Sequence, residues 1–286
     1  MALLIFGLGY VGRALAAASE GAGVTGTTRR PVPDLPSTVV CIPPEQAVRA
    51  LPTATHLLVT APPGVKGDPL LALDGAPAAI ARSSLRWIGY LSTTGVYGDH
   101  GGGWVDEATP PAPGSERAAR RVAAEAAWSA FADRRAVDTF RLAGIYGPGR
   151  SVLDDLRGGR ARRVVKPGHA FGRIHRDDIV RAIRAAMAQE RGPGARRLNL
   201  SDDEPAESAA VIEEAARLLG VTPPPEVAFA DAWAGMSPMA RSFWSENRKV
   251  SSRATKAALG LSWLYPTYRE GLRAILAAER EEHPPQ

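Results

Sequence analysis

The stretch ALLIFGLGYVG, residues 2–12, opens the chain with an apolar run that leads directly into three glycines spaced G-x-G-x-x-G. The run 2–6 predicts a strand, and residues 10–18 predict a helix. Between them Gly7 permits a tight turn, Gly9 lets the backbone approach a pyrophosphate, and Gly12 lets the helix pack closely on the strand. The motif alone is weak in a chain with 29 glycines, but its place between strand and helix predicts dinucleotide binding. The predicted contacts in this turn are Gly7, Gly9, Tyr10, Val11 and Gly12.

Short apolar runs alternate with helical patterns through the first half of the chain. Such alternation is typical of a parallel sheet that helices cover on both faces. Strands are predicted at 2–6, 23–27, 38–42, 56–60, 87–92, 137–142 and 197–200. Helices are predicted at 10–18, 44–51, 69–83, 115–132, 176–189, 204–219 and 268–281. The sequence therefore predicts the α/β class, with a Rossmann-type doubly wound sheet.

The ends of the second and fourth predicted strands give further cofactor residues. An NAD site usually ends its second strand with a carboxylate that accepts from the ribose 2′-OH. Here the strand ends in VTGTTRR (24–30), so Thr28, Arg29 and Arg30 stand at that place. Guanidinium groups suit a 2′-phosphate, which favours NADP, although the abundance of arginine leaves NAD open. The fourth strand ends in LLVTAPP (57–63), which puts Thr60, Ala61 and Pro62 beside the predicted pyrophosphate.

Composition narrows the classes of function. The net charge is +5, nearly all the basic residues are Arg, and acidic residues are interspersed throughout. Without a long basic run or a helix-turn-helix pattern, nucleic-acid binding is not favoured. The single cysteine excludes an internal disulfide and favours a reducing compartment. No segment approaches the ~20 apolar residues of a membrane span. We therefore expect a cytoplasmic protein that binds neither nucleic acid nor membrane.

Five segments resemble a known family in both content and order. They are GLGYVG (7–12), LSTTGVYGD (91–99), RLAGIYGPGR (141–150), RIHRDDIVRAI (173–183) and LNLSDDEP (198–205). The sequence resembles the extended short-chain dehydrogenases/reductases, the NAD-dependent epimerase/dehydratase family, over essentially its whole length. The resemblance implies a dinucleotide-binding domain of 1–148 plus 173–200 and a small α+β substrate cap of 149–172 plus 201–286. It also implies a homodimer that would use helices 69–83 and 115–132.

The family's catalytic pattern is only partly present. The family uses a Ser or Thr and a Tyr-x-x-x-Lys on the next long helix, and the resemblance places Thr93 at the hydroxyl position. It places Arg117 at the Tyr position and Arg121 at the Lys position. Arg cannot act as a general base because it keeps its proton and has no acceptor. Arg121 could still hold ribose hydroxyls, and Gly144 and Ile145 would border the nicotinamide. The chain thus resembles an atypical branch of the family.

The sequence is compatible with two hypotheses of function. The first is an NADP-dependent oxidoreductase or epimerase that acts on a polar small molecule, with hydride transfer near Thr93 and Gly144. The second is a non-catalytic NADP-binding sensor or scaffold. Arg117 and Arg121 lie four residues apart on one helical stripe, which favours an anion or carboxylate between them. In nucleotide-sugar epimerases of this family, an Arg a few residues before the Ile-His pair often binds the substrate pyrophosphate. Here Phe171 stands at that approximate position and Arg173 lies nearer the His, so the resemblance does not favour a nucleotide-sugar substrate. We expect His175 to be structural and no metal to be bound, since no cluster has metal-ligand spacing.

Overall fold

The structure, a computed structural model, describes residues 1–19 and 21–282. Its strands are β1 Ala2–Phe6, β2 Gly23–Thr27, β3 Val39–Ile42, β4 His56–Val59, β5 Trp87–Thr93, β6 Trp104–Val105, β7 Ala136–Leu142, β8 Gly144–Tyr146, β9 Arg163–Val165, β10 Arg173–His175, β11 Gly194–Leu200, β12 Glu226–Ala228 and β13 Lys249–Val250. Its α-helices are α1 Tyr10–Ala17, α2 Ala47–Ala50, α3 Ala76–Arg82, α4 Glu116–Ser129, α5 Val152–Arg157, α6 Arg176–Ala188, α7 Ser208–Leu219, α8 Phe229–Trp233, α9 Pro238–Trp244, α10 Arg253–Leu259 and α11 Tyr268–Glu282. Short 3₁₀ segments lie at Pro44–Gln46, Leu51–Thr53 and Thr94–Tyr97.

Seven strands form a parallel sheet in the order β11-β7-β5-β4-β1-β2-β3. The chain moves from β1 outward to β3, then returns to β4 on the other side of β1. The strand order therefore reverses between β1 and β4, and ligands of open α/β sheets bind outside the carboxyl ends of the strands at such a point. This arrangement confirms the predicted Rossmann-type α/β fold.

The sheet is held by apolar side chains that the strand patterns predict. In β1 the residues from Leu3 to Phe6 are at most 3% exposed, as expected for a strand that is covered on both faces. One face packs against a cluster that contains Leu57, Ile80 and Trp128. Burying a large apolar side chain stabilises the fold by about 1.5–3 kcal/mol. The strands that end at the carboxyl side of the sheet are thus held by a packed core.

Two predicted helices begin later than the pattern indicates. The segment 69–83 is helical only over Ala76–Arg82, because the Asp68 carboxylate accepts from the amides of Leu70 and Leu71 and forms a turn instead. Gly75 follows with φ of 73°, a conformation outside the helix. The segment 204–219 is helical only over Ser208–Leu219, since residue 205 is a proline and disfavours helix at the residue before it.

The chain divides into two compact units. The first contains residues 1–96, 116–141 and 179–198, and the second contains 97–115, 142–178 and 199–286. The first unit corresponds to most of the predicted dinucleotide-binding domain. It differs from that prediction in assigning 97–115, 142–148 and 173–178 to the other unit, together with 199–200. Each unit has its own core.

The second unit is built from small parallel strand pairs and helices. Strand β8 pairs with β10, β9 with β12, and β6 with β13. Its core cluster includes Tyr146, Leu153, Tyr268 and Leu272. In the part of the chain that the structure describes, no helix combines the length and apolar character that crossing a bilayer requires.

Candidate functional site

The carboxyl ends of β1, β2 and β4 are tied together at the glycine turn. The amide of Gly7 donates to Thr27 Oγ1 at 2.9 Å, and the amide of Leu8 donates to the carbonyl of Thr27 at 2.8 Å. From the other side Thr60 Oγ1 donates to the carbonyl of Gly7 at 2.5 Å. Gly7 has φ of 110°, and a Cβ there would stand 2.6 Å from Thr60 Oγ1. The turn therefore requires glycine at its first position.

Packing requires glycine at position 12 but not at position 9. A Cβ on Gly12 would lie 2.3 Å from the carbonyl oxygen of Gly7, so Gly12 lets α1 pack against the turn. A Cβ on Gly9 would meet nothing within 4 Å, so the protein itself does not require glycine there. Gly9 is exposed at the N-cap of α1, without a side-chain cap and with no acidic residue in the first turn. The start of a helix favours an anion, because the helix dipole is positive there and its first backbone N–H groups point outward.

Basic side chains follow the second strand. Arg29 and Arg30 are exposed, and neither is ion-paired within residues 1–19 and 21–282. The Thr28 side chain accepts from the amide of Arg30 at 3.2 Å and donates to its carbonyl, which fixes the turn that presents both arginines. The end of β2 thus carries positive charge and no carboxylate.

The loop after β4 carries the remaining cofactor residues of the first unit. Thr60 is half-buried with its hydroxyl committed to backbone carbonyls, Ala61 is half-buried, and Pro62 is exposed. The structure therefore brings Gly7, Thr27 and Thr60 together at the switch point. The predicted cofactor roles of Thr60, Ala61 and Pro62 stay predictions.

Arg121 is anchored to the strand beside Thr93. Its Nη1 donates to the carbonyl of Leu91 at 2.6 Å and to the Tyr90 hydroxyl at 3.2 Å. Thr93, the last residue of β5, is half-buried, and its Oγ1 accepts from the amide of Gly95 at 3.1 Å. Burial raises the pKa of Tyr90 to about 12, against the nearby positive charge of Arg121. Arg121 is thus a positioned cation, and Tyr90 is a neutral partner.

Arg117 lies one helical turn before Arg121 and is exposed. A helix that joins two neighbouring parallel strands runs antiparallel to them, so earlier residues of α4 lie nearer the carboxyl end of β5. One turn of helix is about 5.4 Å and two strand residues are about 6.6 Å. Relative to the contact between Arg121 and Leu91, Arg117 and Thr93 therefore both lie toward the carboxyl end of β5.

A buried polar group near Arg121 was not predicted from the sequence. Glu125 accepts from Ser92 Oγ at 2.5 Å and from Arg141 Nη2 at 2.7 Å, while Arg141 Nε donates to Glu125 at 3.1 Å. The Arg141 side chain is 0% exposed, and that of Glu125 is 7% exposed. Glu125 falls four residues after Arg121, on the same side of α4, and this spacing was the signal available. The carboxylate of Glu125 pairs with Arg141, and the anion expected between Arg117 and Arg121 stays a prediction.

The second unit contains other residues that the sequence singles out. Gly144 and Ile145 lie in β8, paired with Arg173 and Ile174 of β10. The hydroxyl of Tyr146 points to the carbonyl of Thr267 at 3.5 Å, and burial raises its pKa. Tyr146 and Tyr97 are both buried, and Tyr97 donates to Asn199 Oδ1 at 2.7 Å.

His175 has the contacts of a structural residue. Its Nδ1 accepts from the amide of Asp177 at 3.2 Å, which caps the start of α6, and its ring packs on Tyr146 and Tyr265. Burial lowers its pKa to about 4. Arg173 Nη1 donates to the carbonyls of Phe171 and Ala206. Within the described residues, no three His, Cys, Asp or Glu side chains assemble as a metal site would require.

No profile of a known protein family matches the sequence, and comparison with curated proteins gives no match. Solved structures do match. A conserved protein of unknown function from Silicibacter pomeroyi DSS is 43% identical, with a TM-score of 0.87 over 97% of this chain and 99% of the other. A protein of Methylobacillus flagellatus assigned as an NAD-dependent epimerase/dehydratase is 25% identical, with a TM-score of 0.73 over 98% of both chains.

A third match shows the fold at lower identity. The human epimerase family protein SDR39U1, solved with NADPH, is 18% identical, with a TM-score of 0.76 over 97% of this chain and 99% of the other. The parallel sheet, the glycine turn and these full-length matches agree with the motif order in the sequence. The chain therefore has the fold of these epimerase/dehydratase structures and is similar to them over its whole length, as expected of an extended short-chain dehydrogenase/reductase.

Proposed function

We propose that this protein is an NADP(H)-dependent oxidoreductase or epimerase that acts on a polar or anionic small molecule. The observation that carries the proposal is Gly9. Its Cβ position is open while those of Gly7 and Gly12 are blocked by the protein, so the space beside Gly9 is left for a ligand. The bound dinucleotide would accept or donate hydride at C4 of its nicotinamide.

The preference for NADP(H) rests on the end of β2. Arg29 and Arg30 are exposed on a turn fixed by Thr28, and the guanidinium groups match the charge of a 2′-phosphate. An NAD site would need an acceptor for the 2′-OH at this place. The Methylobacillus flagellatus relative is assigned as NAD-dependent and the human structure holds NADPH, so both cofactors occur among similar proteins.

The catalytic role we propose for Arg117 is electrostatic. A guanidinium cannot remove a proton, but it stabilises negative charge that develops on a substrate oxygen. Thr93 would share this oxygen through its hydroxyl. Tyr90, Tyr97 and Tyr146 are buried, and the pKa of Tyr90 is raised to about 12. Reduction, in which solvent supplies the proton, suits this group better than oxidation, which needs a base.

Binding and turnover measurements test the proposal separately. We expect NADPH to bind at least tenfold more tightly than NADH, and the Arg29→Ser/Arg30→Ser variant to remove this difference by weakening NADPH alone. The Arg13→Ser variant, which removes one exposed charge of α1, is the control. Equal affinity for both cofactors in the unchanged protein would contradict the assignment of NADP(H).

A reductase screen decides between enzyme and sensor. NADPH oxidation is followed with aldehydes, ketones and keto sugars, and we expect Arg117→Ala to lower kcat/KM by 10²-fold or more, the usual cost of losing an oxyanion donor. Arg120→Ala, whose side chain pairs with Glu116 on the same helix, should stay near the activity of the unchanged protein. Tight NADPH binding without turnover of any of these substrates would favour a sensor or scaffold, which the replacement of the tyrosine by Arg117 also suits.

A further inference from the structure

A pocket lies at the amino ends of the central strands, away from the glycine turn. It has a volume of about 280 Å³. His56, Trp87 and Ala136 line it, and they are the first residues of β4, β5 and β7. Thr93 and Thr60 stand at the opposite ends of two of these strands. The pocket is therefore a different site from the one that would hold the dinucleotide.

The lining of the pocket is strongly basic. It contains Arg86, Arg134, Arg135 and Arg191, with Glu190 as its acidic residue. Arg86 is 3.9 Å from Glu190, and Arg191 donates to the buried Asp138 at 3.1 Å. Asp138 is shared with Arg196, which donates to both of its carboxylate oxygens. The carboxylates near the pocket are thus already paired.

Arg135 carries a buried positive charge. It is 4% exposed, and its Nε donates to the carbonyl of Leu85 at 3.2 Å. Within residues 1–19 and 21–282, no carboxylate is ion-paired with it or with its exposed neighbour Arg134. Burial and then the positive charge of Arg134 lower the pKa of Arg135. A buried cation without a counter-charge is costly, and an anion in the pocket would remove that cost.

Two further observations point to a ligand. The Nε of Arg191 is buried and lacks a hydrogen-bond partner among the described residues, although Arg191 lines the pocket. The pKa of His56 is lowered by burial, then by Arg86 and by the amino terminus, so positive charge converges here from three parts of the chain. The rest of the lining is apolar, from Leu85, Trp87 and Met187.

We propose that this pocket is a second binding site, for a small phosphate monoester. The arginines would take the phosphate group, since guanidinium donors match phosphate geometry. The apolar lining would take a short organic group, and the volume is below the roughly 300–1,000 Å³ of drug-sized sites. The site does not depend on the proposed dehydrogenase function.

Calorimetric titration with phenyl phosphate and inorganic phosphate at fixed ionic strength tests the site. We expect phenyl phosphate to bind more tightly than inorganic phosphate. The Arg86→Gln/Arg134→Gln variant, changed at two exposed residues that leave the core intact, should weaken phenyl phosphate binding at least tenfold. Two controls should stay within twofold. Arg49→Gln removes an exposed charge outside the lining, and Gly9→Ala obstructs the glycine turn.

The outcomes are distinct. Loss in the double variant with retention in both controls supports the site. The proposal is overturned if phenyl phosphate does not bind, if the double variant binds it normally, or if Arg49→Gln weakens it equally. Loss in Gly9→Ala alone would overturn it as well, because the phosphate would then occupy the dinucleotide site.

Discussion

Replacing Gly9 and Gly12 separately by alanine distinguishes a glycine kept for a ligand from one kept for packing. Gly9 has φ of −78° and ψ of −162°, which alanine adopts without strain, and its Cβ would meet nothing within 4 Å. Alanine restricts the unfolded chain and stabilises by about 0.4–1 kcal/mol. It is also a poorer N-cap than glycine by a similar amount. The two effects offset, so the stability of Gly9→Ala should change by less than about 1 kcal/mol.

Gly12→Ala should behave differently. Its Cβ would stand 2.3 Å from the backbone oxygen of Gly7 and 3.3 Å from a methyl group of Ile5, and backbone cannot move away as a flexible side chain can. Overpacking of this kind costs about 1–3 kcal/mol. The better helix propensity of alanine returns at most about 1 kcal/mol. We expect a net loss of about 1–2 kcal/mol, measured by urea unfolding of the apo protein.

Cofactor titration completes the comparison. If the dinucleotide pyrophosphate lies against Gly9, a methyl group there should weaken NADPH binding at least tenfold, which corresponds to about 1.4 kcal/mol. Gly12→Ala should weaken binding too, but together with its loss of stability. A folded Gly9→Ala protein that binds NADPH like the unchanged chain would refute the assignment of this turn.

Two predictions concern buried groups. Glu125→Gln leaves the fully buried guanidinium of Arg141 without its ion pair, so urea unfolding should show a loss of about 3–5 kcal/mol, whereas Glu116→Gln on the exposed face of the same helix should change little. His175 has its pKa lowered by burial to about 4, from 6.5 in the unfolded chain. The stability it contributes is present above pH 6.5 and is lost as the pH falls from 6.5 toward 4, at up to about 1.4 kcal/mol per pH unit. Unfolding of His175→Asn should lack this part of the pH dependence, and an unchanged slope would exclude His175 as its source.

Hydrophobic periodicity and glycine spacing were sufficient to predict the sheet and the glycine turn. The strand β1 has the predicted bounds, because its apolar run is buried and ends at the glycine turn. The helix at 69–83 was too long because the competing turn depends on one side chain, Asp68, whose other oxygen accepts from Trp128 Nε1 at 3.0 Å. That contact joins residues 60 positions apart, and no local pattern contains it.

The sequence proposes members of the candidate site but does not give their contacts. The family spacing predicts that Thr93, Arg117 and Arg121 belong to one region. It could not reveal that Arg121 donates to the carbonyl of Leu91, since a backbone acceptor leaves no trace in the sequence. The pair of Glu125 with Arg141 was equally hidden, because the sequence does not say which acidic side chain points inward.

The contacts of Arg121 change the interpretation of the two arginines. Its contacts with Leu91 and Tyr90 satisfy part of the hydrogen-bonding capacity of its guanidinium, so the protein itself holds Arg121 in place. Arg117 is the exposed member of the pair. The two arginines therefore have separate roles in the proposal. Arg121 fixes α4 against β5, and the role proposed for Arg117, to stabilise charge on a substrate, is the one that the Arg117→Ala measurement tests.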